Sequence, residues 1–266
     1  MSDNLVLCEN RGSTAVVTLS RPDRRNALSR ALIADLTETF TRLSGDAAVR
    51  CVILTGAGSV FCSGMDLAEL HESVTRPDEQ TPVWDDALKL ARLYDLIYTS
   101  PKPTIAAING AAVAGGAGLV SVCDLAVSVP EAKFGYPEVR RGLVAAMVMP
   151  HLLRHVGERM ARYLLLTGHV IDAAEACRAG FVNAVVPTDE LLERTLAWGR
   201  AVAEGGPNAL RLTKDLLRRF SHQALSLEEA AQASAAPRLT EECKRGLEAF
   251  FAKRPVPWAP QSEPRP

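Results

Sequence analysis

Three segments of the 266-residue chain carry residues whose types and order suit chemistry at a ligand oxygen. In Phe61-Cys-Ser-Gly-Met-Asp-Leu-Ala-Glu-Leu70 a strand ends, Gly64 permits an unusual backbone conformation, and a helix starts at an acidic residue. Such a junction leaves backbone N–H groups without helical partners, free to point at a ligand. An ordinary strand-to-helix turn, with Asp66 as a first-turn charge, would use the same residues. The second segment runs from Ala106 through Ala-Ile-Asn-Gly-Ala-Ala-Val-Ala-Gly-Gly-Ala-Gly to Cys123-Asp124. Its small side chains let the backbone approach a ligand closely, and a helix after Gly115 offers free N–H groups at the positive end of its dipole. Tight helix–sheet packing asks for the same glycines. The third segment, Ala132-Lys-Phe-Gly-Tyr-Pro-Glu-Val-Arg-Arg-Gly-Leu143, sets Glu138 just after a proline. That is a place for a catalytic carboxylate or for a helix first-turn residue.

Other constellations are weaker. Cys62 precedes Ser63 and Gly64, but Phe61 stands where a G-x-S-x-G nucleophile elbow needs glycine, so Cys62 reads as a small buried filler. His151 and His155 lie four apart on a helical stretch, yet Leu152 replaces the glutamate of a zincin pattern, and no metal site is expected. His71 reads as an exposed helix residue. Gly56-Ala-Gly58 continues into Ser-Val-Phe61 without the third glycine of a dinucleotide-binding loop.

The elements that must position these segments alternate. Strands are expected at Val16–Leu19, Val49–Leu54, Ile105–Asn109, Leu125–Val129 and Val182–Val186, with helices between them. One of these helices follows Ser29 as its N-cap, one runs from about Asp85 to Tyr98, and one covers Pro150–Leu166. Residues 72–85, with Pro77 and Pro82, read as a mobile surface segment. After Val186 only helices are expected, at about 189–204, 207–220 and 226–251, and the Pro-rich stretch from Pro255 reads as loose. Strand–helix alternation predicts α/β layers. At 47% hydrophobic residues the chain can bury a core without a disulfide or metal.

A net charge of −1, four tyrosines and three tryptophans argue against nucleic-acid binding. Cys8, Cys51, Cys62, Cys123, Cys177 and Cys243 are scattered without a C-x-x-C pair, which predicts reduced thiols in a cytoplasmic protein. No secretory leader or membrane span is expected.

Taken together, in order and spacing, the three segments resemble the crotonase (enoyl-CoA hydratase/isomerase) family. Pro22-Asp-Arg-Arg-Asn-Ala-Leu28, Leu166-Thr-Gly168, Asp172-Ala-Ala-Glu-Ala176, Gly180-Phe-Val-Asn183 and Ala249-Phe-Phe-Ala-Lys-Arg254 add to the likeness, which spans about Leu5 to Trp258. The resemblance implies a ββα spiral core over 1–200, a C-terminal helical trimerisation layer over 201–258 and a loose tail over 259–266. It implies an acyl-CoA substrate and no cofactor beyond the coenzyme A of that substrate. It implies a homotrimer, or a hexamer made of two trimers.

By the same resemblance, the N–H groups of Met65 and Gly115 are the two donors to a thioester oxygen, and Glu138 is the proton-handling carboxylate. Arg24, Arg25, Ala27, Cys62, Gly64, Asp66 and Leu67 fall at positions that meet coenzyme A. Phe250 and Lys253 match positions that reach coenzyme A in a neighbouring subunit. The 72–98 and 143–150 stretches are expected to shape the acyl pocket.

One departure bears on the reaction. Two-glutamate hydratases of this family carry a second glutamate three residues after the second oxyanion glycine, where this chain has Gly118. A single carboxylate suits a Δ3,Δ2-enoyl-CoA isomerase. The run around Gly118-Leu-Val120 and Glu138–Ala146 instead resembles bacterial hydratases of branched or 3-methylglutaconyl-type substrates. The resemblance therefore favours a hydratase, with isomerase and non-catalytic acyl-CoA binding as alternatives.

Overall fold

The computed structural model describes residues 4–75, 80–222, 241–242, 245–246, 249 and 252–258. Near-continuous runs of Val, Ile, Leu and Ala form strands buried on both faces, the pattern of a parallel sheet covered by helices. These are β2 (Thr14–Leu19), β3 (Cys51–Gly56), β5 (Thr104–Ile108) and β7 (Leu125–Ser128), with β1 (Val6–Arg11) and β10 (Ala184–Val185) at the edges. The order is β1-β2-β3-β5-β7-β10. Every pairing is parallel except the β1–β2 hairpin.

Three of these strands continue, after a short turn, into a second sheet. β3 leads to β4 (Val60–Cys62), β5 to β6 (Ala111–Val113), and β7 to β8 (Lys133–Gly135). The second sheet has the order β4-β6-β8-β9, with β9 (Val170–Asp172) antiparallel to β8. Each strand pair then feeds a helical segment, which makes a ββα spiral. β4 leads to α2 (Leu67–Thr75) and α3 (Gln80–Tyr98), and β6 leads to α4 (Gly115–Val122). β8 leads to α5 (Met149–Thr167) by way of two 3-10 turns.

Before the spiral, α1 (Arg30–Gly45) starts where the Ser29 side chain accepts from Leu32 N at 3.2 Å. It buries Leu32, Ile33, Leu36, Phe40 and Leu43. Its C-terminal end is held by Lys102, whose ammonium donates to Leu43 O at 2.6 Å and to Asp46 O. After β9 come α6 (Ala173–Arg178), α7 (Leu191–Ala203) and α8 (Pro207–His222). The Lys214–Asp124 ion pair, at 2.6 Å, fastens α8 to the core, and Asp124 also accepts from Thr104 N.

Several expectations are corrected. Residues 72–75 and 80–85 are helical, not a surface loop, and α3 begins at Gln80 rather than Asp85. Pro82 lies in the first turn of α3, where a missing N–H costs nothing. The chain at Pro255–Trp258 is not loose. The Trp258 indole donates to Glu204 O at 2.8 Å, and its carbonyl accepts from Arg50 at 2.8 Å. β1 had no sequence expectation, and neither did β6, β8 and β9, whose three residues carry no readable alternation. Phe250, Cys243, residues 259–266 and most of the 226–251 helix lie outside the described residues.

Candidate active site

β4, β6 and β8 lie side by side and parallel, so their C-terminal ends open at one edge of the second sheet. Each candidate group follows one of those ends within three residues: Gly64 and Met65 after Cys62, Gly115 after Val113, and Glu138 after Gly135. Met65, Gly115 and Glu138 all line one cavity of about 220 Å³. Leu67, Leu70, Leu90, Tyr94, Leu143 and Met147 complete much of its apolar wall, so the 72–98 and 143–150 stretches do contribute.

The Met65 amide is aimed by its neighbours. Leu28 N donates to Gly64 O at 2.8 Å, and Asp66 N donates to Leu28 O at 3.0 Å, a parallel bridge that turns Met65's own N–H to the other side. Gly64 sits at φ +90°, and a Cβ there would fall 3.1 Å from Gly115 N, so the two turns are in contact. Gly115 opens α4, and a first-turn N–H has no helical acceptor. The preceding Ala114 is held at φ 51°, ψ −125°, a conformation costing an alanine about 1–3 kcal/mol. Its N–H donates to Gly135 O at 2.8 Å, which ties the two strand ends together. Among the described residues, the N–H groups of Met65 and Gly115 have no protein acceptor.

Glu138 lies in the 3-10 turn Pro137–Arg141 that leaves β8. Its Oε2 is buried without a hydrogen-bond partner among the described residues. Burial raises its pKa above the ordinary glutamate value, outweighing its own backbone N–H and the Arg141 guanidinium, which both pull it down. It is the only carboxylate on the cavity wall among the described residues. Two unpaired N–H donors beside an apolar chamber can hold an oxygen that gains negative charge. A buried carboxylate of raised basicity can move a proton to or from an adjacent carbon.

The other expected residues divide. Leu67 lines the cavity and is half exposed. Arg24 and Arg25 are exposed on the turn that packs on the site, where Arg25 O accepts from Ser63 N at 3.1 Å. Ala27 is buried, and its carbonyl accepts from Arg21 at 2.5 Å. Asp66 is not on the cavity wall and pairs with Arg21 at 3.0 Å. Burial alone would raise its carboxyl, but Arg21 and the Ala68 N–H hold it below the ordinary range. Cys62 is fully buried and its thiol is pushed up to about 12 by burial, which suits a filler and not a nucleophile. Lys253 is exposed and away from the cavity wall. His155 is engaged with Ser121 O at 2.9 Å.

Three residues were not singled out from sequence. Asn26 is fully buried. It accepts from Arg21 N at 2.9 Å and donates to Ala57 O and Val60 O, at 2.9 and 2.7 Å. Tyr94 is buried and donates to Gly115 O at 2.8 Å. Arg141 borders the cavity beside Glu138. A tyrosine on an amphipathic helix carries no signal that separates it from core. The run Asn26-Ala-Leu28 beside the turn was the available sign for Asn26.

Known proteins are similar to this chain along almost its whole length. Residues 9–261 match the family model described as enoyl-CoA hydratase/isomerase. A Thermus thermophilus protein that carries a provisional enoyl-CoA hydratase name is 45% identical over 249 residues, 92% of this chain and 97% of its own. The 2,3-dehydroadipyl-CoA hydratase of Escherichia coli is 34% identical over 260 residues, 96% of this chain and 97% of its own. The crystal structure of an enoyl-CoA hydratase/isomerase from Marinobacter aquaeolei superposes with a TM-score of 0.88 at 35% identity, covering 96% of this chain and 99% of its own. Among the described residues no helix is long and apolar enough to cross a membrane. The chain belongs to the enoyl-CoA hydratase/isomerase family and has the crotonase fold.

Proposed function

We propose that the protein hydrates 2-enoyl-CoA thioesters through an enolate held by the N–H groups of Met65 and Gly115, with Glu138 as the proton shuttle. The observation that carries this reading is the buried, unpartnered Glu138 Oε2 in the same apolar cavity as two amides that have no protein acceptor among the described residues.

In this mechanism Glu138 takes a proton from water, and the oxygen forms its bond to C3. The C2=C3 electrons move toward the thioester oxygen, where the two amides meet the charge. Glu138 then delivers its proton to C2 and the carbonyl reforms. Losing one such donor typically costs about 100- to 1000-fold in rate. Arg24, Arg25, Ala27, Cys62, Gly64, Asp66 and Leu67 would hold or frame the coenzyme A portion, the two exposed arginines by charge.

The same proposal includes a cytoplasmic trimer or hexamer in which Phe250 and Lys253 reach a neighbour's coenzyme A. Sedimentation would measure that assembly. A second reading, Δ3,Δ2-isomerisation by Glu138 alone, is favoured by one observation: no other carboxylate lines the cavity among the described residues. Incubation with 2-enoyl, 3-enoyl and glutaconyl-type CoA esters, with products identified by mass, separates the readings. A gain of water from the 2-enoyl ester supports the proposal. Conversion of the 3-enoyl ester alone supports the second, and no conversion of any ester leaves an acyl-CoA-binding member.

A further inference from the structure

We infer that Tyr94 is the second water-positioning group of the site, its hydroxyl oxygen accepting from the water that Glu138 deprotonates. The inference rests on the hydration reading above. A phenol has one proton and two acceptor lone pairs. The Tyr94 proton is committed to Gly115 O at 2.8 Å, so toward the cavity the oxygen can only accept. Glu138, when ionised, can also only accept. A water between them donates one hydrogen to each, which leaves its lone pair free for C3. Two acceptors thus fix the orientation that one carboxylate alone would leave free.

The room for this arrangement exists because position 118 is glycine. A Cβ at Gly118 would lie 2.6 Å from the Tyr94 hydroxyl oxygen and 2.6 Å from a Val148 methyl. Tyr94 therefore fills the space into which any larger side chain at 118 would extend, a second carboxylate included. Burial keeps the phenol protonated far above neutral pH, with the nearby Glu138 adding to the effect, so Tyr94 orients water without competing as a base. Tyr136, the other buried phenol near Glu138, does not line the cavity.

The water leaves one proton on Glu138 and bonds to C3, and that proton passes to C2, so Tyr94 ends the cycle unchanged. Its loss should affect water addition more than enolisation. Tyr94→Phe keeps the ring against Gly118 and removes the oxygen. Two rates are measured on wild type and variant: hydration of crotonyl-CoA, and deuterium wash-in at C2 of butyryl-CoA, which needs the amides and Glu138 but no bound nucleophile. The ratio of hydration to exchange is expected to fall roughly 3- to 10-fold, the loss of one neutral hydrogen bond, with KM little changed.

Equal loss of both rates, or loss of neither, overturns the inference and leaves Tyr94 as a brace for Gly115 or as packing. Should Tyr94→Phe fold poorly, 3-fluorotyrosine at position 94 weakens the oxygen as acceptor without removing it. The same ratio should then fall by a smaller factor, and an unchanged ratio overturns the inference. Wild-type protein that exchanges but does not hydrate sinks the hydratase reading and this inference with it. Wild-type protein that hydrates, with the ratio unmoved in the variants, sinks the inference alone.

Discussion

Gly64 and Gly115 face each other so closely that a Cβ on the first would stand 3.1 Å from the amide nitrogen of the second and 2.8 Å from Ala114 Cβ. The turn after β4 thus sets the position of the first peptide of α4. Gly64→Ala must meet both this contact and φ +90°. It is expected to cost about 1–3 kcal/mol of stability. Turnover should fall by roughly 100-fold, as when one oxyanion donor is displaced. Denaturant melts and initial rates check both. A stable variant with wild-type turnover would separate the two amides from the chemistry.

Glu138→Gln is expected to abolish turnover while CoA-ester binding persists, measured by rates and by calorimetry. Its effect on stability follows from the raised pKa. Folding favours the protonated carboxyl, so the group's contribution to stability is full below the unfolded value, near 4.3, and is lost as pH rises through the folded value. The glutamine variant should match wild type in melting temperature near pH 4 and exceed it at pH 8. The same shift predicts that the acid limb of hydration falls above the usual glutamate range. A variant less stable than wild type at pH 8 would mean that ionised Glu138 has a stabilising partner.

Asn26 ties one buried amide side chain to Arg21 N, Ala57 O and Val60 O. Asn26→Ala leaves these groups unsatisfied and should cost roughly 2–4 kcal/mol. Because Leu28 pairs with Met65 just beyond, activity should drop even at temperatures where the variant stays folded. Circular dichroism melts with parallel assays test this. A loss of stability with unchanged kcat would confine Asn26 to the core.

The thiols of Cys51, Cys62 and Cys123 are each pushed up to about 12 by burial, while Cys8 is exposed. Iodoacetamide at pH 8 should label Cys8 and spare the buried three until the protein unfolds, with activity retained. Peptide mass mapping gives the order. Inactivation that follows Cys62 labelling in folded protein would bring that thiol into the chemistry.

The long parallel strands were legible because full burial writes unbroken apolar runs, as in Cys51-Val-Ile-Leu54 and Thr104-Ile-Ala-Ala-Ile108. α1 was legible from Ser29 and the spacing of Leu32, Ile33, Leu36 and Phe40. β6 and β8 were not, since three residues hold no period, yet with β4 their parallel ends gather the site. The glycine-bearing turns could be found locally, but their acceptor-free amides could not be told from ordinary turns without the family resemblance. Tyr94 was hidden because its proposed role depends on α3 crossing over Gly118, a contact between residues 24 positions apart.

The proposed hydration depends on two main-chain amides polarising one thioester oxygen. Infrared difference spectroscopy of crotonyl-CoA labelled with 13C at the thioester carbonyl, bound to Glu138→Gln, reads that interaction without turnover. The carbonyl stretch is expected to move to lower frequency than in water, and Gly64→Ala in the same background should reverse most of the shift. A bound thioester whose carbonyl absorbs where it does in water would mean that the two amides do not polarise it.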